Sequence, residues 1–234
     1  MQRTVVITGA ERGLGLCLVQ AFLADGAVVV AGKRASDRNL RALGERGGKL
    51  TIVQMDVADP GSVRAAGDWV ASRFGAVDVL VNNAAVFPAV KGVALEARDL
   101  GDGHLERAIQ VNTFGPLRVT QRFLPLLEQG AGRTIVQISS EAGSIAGAWR
   151  TDELEYCMSK AALNLQTRLL ANALGPRGYR VVAVHPGWMR TDMGGPGADI
   201  PPEESASGIF RIATDPGSAG NGEFVDYRGE RLEW

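Results

Sequence analysis

Tyr156 and Lys160 stand four residues apart in Tyr156-Cys157-Met158-Ser159-Lys160. That spacing is about one helical turn, so both side chains can point at one ligand. A phenol has an ordinary pKa of about 10, too high to exchange protons readily near neutrality. A nearby ammonium favours the phenolate and lowers that value. The pair therefore makes a tunable acid for a carbonyl oxygen that gains negative charge as hydride arrives. Upstream, Ser139-Ser140 closes an apolar run, where a hydroxyl can face a bound substrate.

A second chemical string, Thr8-Gly9-Ala10-Glu11-Arg12-Gly13-Leu14-Gly15, lies near the start of the chain. Gly9 can turn the chain tightly, and Gly13 and Gly15 let backbone approach a pyrophosphate. A helix beginning there offers free N–H groups and the positive end of its dipole to that anion. Further on, Ala31-Gly32-Lys33-Arg34 contains no acid. The Arg34 fork suits a phosphate held bidentately, with Arg12 as a second cation for the same pocket. Asp37 reads as the cap of a following helix rather than as a ribose contact.

These residues need a scaffold that brings distant segments together. Apolar runs rich in Val and Ile recur at Thr4–Thr8, Val28–Gly32, Leu50–Asp56, Val77–Val81, Arg133–Ser139, Tyr179–His185 and Glu223–Asp226. Most are continuous rather than alternating, as strands buried on both faces should be. Helices are expected between them at Gly13–Ala24, Asp37–Arg46, Pro60–Arg73, His104–Glu128, Glu153–Leu174 and Glu203–Ala213. Asp59 before Pro60 marks an N-cap, and Asp152 with Glu155 fits a capping box. Strand and helix alternate throughout, which implies a Rossmann-type, doubly wound parallel sheet of about seven strands in one α/β domain over residues 1–234. Ligands of such a sheet sit beyond the carboxyl ends of strands. The irregular stretches Asn82–Gly103 and Pro186–Pro202 are then the site walls, with Phe87, Trp149, Trp188 and Met193 as apolar candidates.

The glycine spacing, Gly-x-x-x-Gly-x-Gly after Thr8, resembles the nucleotide-binding signature of the short-chain dehydrogenase/reductase family, and the resemblance runs over essentially the whole chain. Asp56-Val57 matches the position expected near the adenine amino group. Asn82-Asn83-Ala84-Ala85 is similar to the family's Asn-Asn-Ala-Gly, with Ala85 as the departure. Pro186-Gly187 followed by Thr191 resembles the segment whose threonine steadies the nicotinamide carboxamide. The order Asn112, Ser140, Tyr156, Lys160 matches the family's catalytic tetrad, which selects Ser140 over Ser139. The gap from Ser140 to Tyr156 is a few residues longer than is usual there. Asp192-Met193-Gly194-Gly195, Gly143-Ser144-Ile145 and Val225-Asp226-Tyr227-Arg228-Gly229 are similar to the C-factor-like and small carbonyl reductase branch.

The resemblance implies an NADPH-dependent oxidoreductase that reduces a ketone or aldehyde, with NADH the less favoured cofactor. The cofactor would be held by Gly9, Arg12, Gly13, Leu14, Gly15, Arg34, Asp56, Val57, Asn83, Ala84, Tyr156, Lys160, Pro186, Gly187 and Thr191. Lys160 would grip the nicotinamide ribose, and a helix bend at Asn112 would hold a water contacting that lysine. The rival readings are a nucleotide-binding signalling protein of the C-factor type and an NAD-linked alcohol dehydrogenase. A homodimer or homotetramer is expected, packed through the two longest helices.

Composition narrows the alternatives. Twenty-five basic and 26 acidic side chains leave a net charge of −1, so no basic excess recommends nucleic acid or an anionic membrane. Two cysteines, Cys17 and Cys157, cannot build a disulfide framework or a four-ligand zinc site. No His, Cys and acid grouping has metal-ligand spacing, and a structural role suits His104 and His185. Ser140 lacks a supporting histidine, which disfavours a hydrolase triad. With no apolar run approaching a membrane span and no room for a signal segment before Val5, the expectation is a cytoplasmic protein.

Overall fold

The computed structural model describes residues 2–44, 49–87, 96, 98–99 and 101–234. The strands are β1 (Thr4–Ile7), β2 (Val28–Lys33), β3 (Leu50–Gln54), β4 (Val79–Asn82), β5 (Thr134–Ile138), β6 (Arg180–His185) and β7 (Phe224–Asp226). They form one parallel sheet in the order β3-β2-β1-β4-β5-β6-β7. The helices are α1 (Gly13–Ala24), α2 (Arg38–Gly44), α3 (Pro60–Ala71), α4 (His104–Ile109), α5 (Gly115–Gln129), α6 (Leu154–Leu174) and α7 (Pro202–Thr214). This is a doubly wound, Rossmann-type α/β fold, and the strand order reverses between β1 and β4.

The continuous apolar runs have a direct cause. Successive side chains of a strand point to opposite faces. Val5 and Ile7 enter a core with Leu18, Phe22 and Ile209, whereas Val6 between them joins Val63, Phe123 and Leu127 on the other face. All three are fully buried, so neither face tolerates a polar residue. On the first face, Phe22 of α1 meets Phe210 of α7 edge-on, with ring centroids 5.0 Å apart.

Element ends differ from the sequence expectation by one or two residues, and residues 45–48 at the end of the expected second helix lie outside the described residues. Asp59 caps α3 as expected, its carboxylate accepting from Gly61 N at 2.8 Å. Two expectations need correction. Asp37 does precede α2, but its carboxylate pairs with Arg41 at 2.9 Å while Ser36 Oγ accepts from Arg38 N. At α6 the capping box does not form. Arg98 takes both of its carboxylates, with Nη1 on Glu155 at 2.7 Å and Nη2 on Asp152 at 2.7 Å. The Arg98 side chain is buried, and a buried guanidinium makes charge-assisted bonds that outcompete a neutral amide for the same oxygens. The residue before α6 is instead Glu153, left-handed at φ 62°.

The expected single helix over His104–Glu128 is also modified. Residues Gln110–Phe114 form a π-helical turn between α4 and α5. Such turns are rare and frequent at functional sites, and within this one Asn112 is fully buried.

Candidate active site

β1 delivers Thr8 and the glycine loop to the carboxyl edge of the sheet. Thr8 Oγ1 accepts from Asn83 N and Ala84 N, both at 3.0 Å. Asn83 Nδ2 donates back to Thr8 O at 2.9 Å and Gly9 O at 3.0 Å. The loop after β1 is thereby tied to the loop after β4. Gly9 holds φ +63°, and a Cβ there would lie 2.8 Å from Ala84 Cα. A Cβ on Gly15 would lie 2.2 Å from Gly9 O, so neither position admits a side chain.

At the start of α1, Arg12 is the N-cap residue and makes no side-chain hydrogen bond to the helix amides, and no acid stands in the first turn. The first amides are left for an anion, which fits a dinucleotide pyrophosphate. Leu14 packs its side chain into the core. Across the loop, the place of a Gly13 Cβ is 3.5 Å from Thr191 Cγ2, which brings the segment after β6 over the helix start. Arg12 pairs there with Asp192 at 2.7 Å on the surface. Pro186 is buried, and Gly187 adopts φ +78°. Asp56 turns one oxygen to Ala58 N at 2.9 Å, and Val57 is buried beside it. Arg34 is exposed beyond β2.

The second group is assembled at the ends of β4 and β5 and on α6. Asn112 Oδ1 accepts from Val86 N at 2.8 Å, while its Nδ2 donates to Val86 O at 2.9 Å and Ser159 Oγ at 3.0 Å. Ser159 Oγ donates to Tyr156 O at 2.8 Å. The π turn is thus latched to the stretch of α6 between Tyr156 and Lys160. Of the serine pair, Ser139 Oγ is committed to Asn164. Ser140 accepts from Ala142 N at 3.1 Å, and its hydroxyl lies near enough to the Tyr156 phenol to favour its ionised form.

The electrostatics differ from the simple pairing expected of phenol and amine. Burial pushes Tyr156 up to about 12, opposed by the Ser140 hydroxyl and the Arg150 charge. Burial also drives Lys160 down to about 7. Lys160 Nζ donates to Ile138 O at 2.7 Å and lies 5.7 Å from the centre of the Tyr156 ring. A second cation, Arg150, also favours the phenolate and is itself bonded to Glu141 and Glu153.

Phe87 packs against Tyr156 with centroids 4.8 Å apart. Trp149 and Trp188 are exposed, and Trp188 Nε1 donates to Gly194 O at 2.9 Å. Cys157 turns its thiol toward Asp152 O, away from the site. His185 Nδ1 accepts from Glu141 N at 3.1 Å, a structural contact, and burial lowers its pKa. Sequence reasoning missed Glu11, Arg98 and Arg150, whose partners lie on other elements or in the individual loop before α6.

The chain matches the family model described as short chain dehydrogenase over residues 3–199. It is 40% identical to the C-signal protein of Myxococcus xanthus over 160 residues, which is 68% of this chain and 94% of that one. Among solved structures, an NADPH-bound carbonyl reductase from chicken fatty liver superimposes with a TM-score of 0.89 at 32% identity, covering 100% of this chain and 99% of that one. The carbonyl reductase Sniffer of D. melanogaster gives 0.90 at 29% identity, with both chains covered in full.

Proposed function

The chain belongs to the short chain dehydrogenase family of oxidoreductases, and from that premise we propose that it reduces a ketone or aldehyde to an alcohol with NADPH. One observation carries the proposal. Tyr156 lies beside the Ser140 hydroxyl and over a buried Lys160, at the carboxyl edge of the same sheet that presents an uncapped helix start and a glycine loop. The NADPH bound in the chicken reductase and the phosphate-binding chemistry of Arg34 support the choice of cofactor.

In this reading the α1 amides hold the pyrophosphate, Arg34 the 2′-phosphate, and Thr191 the nicotinamide end. When bound, the dinucleotide would supply the hydride for the carbonyl carbon. Ser140 and Tyr156 hydrogen-bond the carbonyl oxygen and oppose its growing charge. A phenol at about 12 keeps its proton until that oxygen becomes the stronger base, then gives it up. Lys160, near 7, exchanges protons around neutrality and returns one to Tyr156. Asn112 holds the π turn against α6 so that these groups stay aligned. The exposed apolar residues Leu117 on α5 and Leu165 and Leu169 on α6 support a homo-oligomer joined through those helices.

The test is loss of the reduced nicotinamide's absorbance on addition of a panel of ketones and aldehydes. Turnover of at least one class is expected. Kinship with the C-signal protein favours a second reading, a nucleotide-binding signalling protein. Tight binding of NADPH with no turnover on any carbonyl would select it.

A further inference from the structure

The end of β2 is where a dinucleotide site reads the adenosine ribose. An acid there bonds an unphosphorylated 2′-hydroxyl, whereas a cation accommodates a 2′-phosphate. The run Ala31-Gly32-Lys33-Arg34 contains no acid, but the fold supplies one from another element. Glu11, in the glycine loop, lays its carboxylate on the turn beyond β2. Its Oε1 accepts from the backbone N–H of Arg34 at 3.2 Å and of Ala35 at 3.3 Å. Asn39 Nδ2 donates to the Glu11 carbonyl at 3.4 Å and holds loop and turn together a second time. Glu11 Oε2 is buried and has no hydrogen-bond partner among the described residues. A buried acceptor left unpaired is costly, and few persist in native proteins without a role.

The neighbouring charges sharpen the point. Asp192 takes Arg12 and Asp37 takes Arg41. Lys33 Nζ donates to Ala35 O at 3.1 Å. Arg34 stays exposed, with no ion pair among the described residues, yet its own amide is covered by the Glu11 carboxylate. A 2′-phosphate reaching for Arg34 would meet a second anion already seated on the adjacent amides. A phosphate dianion brings charge and acceptors only, whereas a ribose 2′-hydroxyl is neutral and carries a donor.

We infer that Glu11 is a specificity-determining residue for the cofactor: its carboxylate competes with a 2′-phosphate for the Arg34 and Ala35 amides and sets a like charge against it, which an unphosphorylated ribose does not meet. Arg34 and Glu11 then pull in opposite directions, and the native chain takes NADH alongside NADPH. This rests on the reductase reading and narrows its cofactor margin. The test is a fluorescence titration of NADPH and NADH into the wild type, Glu11→Gln and Glu11→Ser. Gln keeps the size without the charge, and Ser withdraws the side chain, so a variant that fails to fold leaves the other informative. The ratio of NADPH to NADH affinity should rise about tenfold or more, since like charges opposed at a binding surface are costly. A ratio that falls, or stays within about twofold of the wild type, overturns the assignment. If the wild type binds neither dinucleotide, the reductase reading itself fails, and the role of Glu11 with it.

Discussion

The two ends of the carboxyl edge are built from different parts of the chain. Around the glycine loop the groups offered to a ligand are main-chain ones, the uncapped α1 amides beside a Gly9 carbonyl that leaves no room for a Cβ on Gly15, with the Thr8 and Asn83 side chains bracing the loop from behind. Around Tyr156 they are side-chain ones, buried and mutually dependent, from Asn112 through Ser159 to Lys160. A backbone site depends on the space that glycines leave and tolerates changes at its rim. A side-chain site depends on single functional groups, and losing one removes the chemistry while sparing the cradle.

The sharpest way to break this contrast is Tyr156→Phe. The ring still packs on Phe87 and the dinucleotide cradle is untouched, so affinity for NADPH should hold. Turnover should fall by about 10²- to 10⁴-fold, the range for removing a general acid. Retained turnover would break the division of labour. Next in size is Arg98→Met, read by denaturant unfolding. It leaves Glu155 charged and buried without its cation, at a cost of about 3–5 kcal/mol. A loss under about 1 kcal/mol would mean that the carboxylates find water and that this end is less closed than drawn.

Gly15→Ala probes the other end. Alanine normally strengthens a helix by about 1 kcal/mol, but here the new Cβ lands 2.2 Å from a backbone oxygen. The overpacking should prevail, costing about 1–3 kcal/mol and loosening dinucleotide binding with it. The smallest effect per step is a slope with pH, read one unit at a time. Lys160 titrates near 7 when folded against an ordinary 10.5, so between those values the unfolded chain binds the extra proton. Stability conferred by the neutral amine is lost as pH falls through that window and gained as it rises. Thermal melts should show wild type improving relative to Lys160→Met from pH 7 toward 10.5, by up to about 1.4 kcal/mol per unit. A flat difference would place the amine in contact with solvent.

The parts legible in the sequence were those whose meaning is local. Val5-Val6-Ile7 announces a doubly covered strand because each face needs an apolar residue. Gly9, Gly13 and Gly15 announce a close approach, and Tyr156 and Lys160 share a helical face by spacing alone. The choice of Ser140 over Ser139 needed the family's pattern, because the bond between Ser139 and Asn164 joins residues 25 apart in sequence. What stayed hidden depends on pairing across the chain. The acids read as a capping box belong to Arg98, 54 and 57 residues away in sequence. The run at the end of β2 holds no acid of its own, and the carboxylate found there arrives from Glu11, 23 residues earlier. Spacing along one element carries no information about either partnership.

The most direct measurement is isotopic. NADPH carrying deuterium at the transferred position is incubated with the wild type and a ketone or aldehyde that it consumes, and the product is examined by mass spectrometry. The account predicts an alcohol with the deuterium on its carbinol carbon, and almost none from Tyr156→Phe. Bound NADPH with no labelled alcohol from any carbonyl would contradict it.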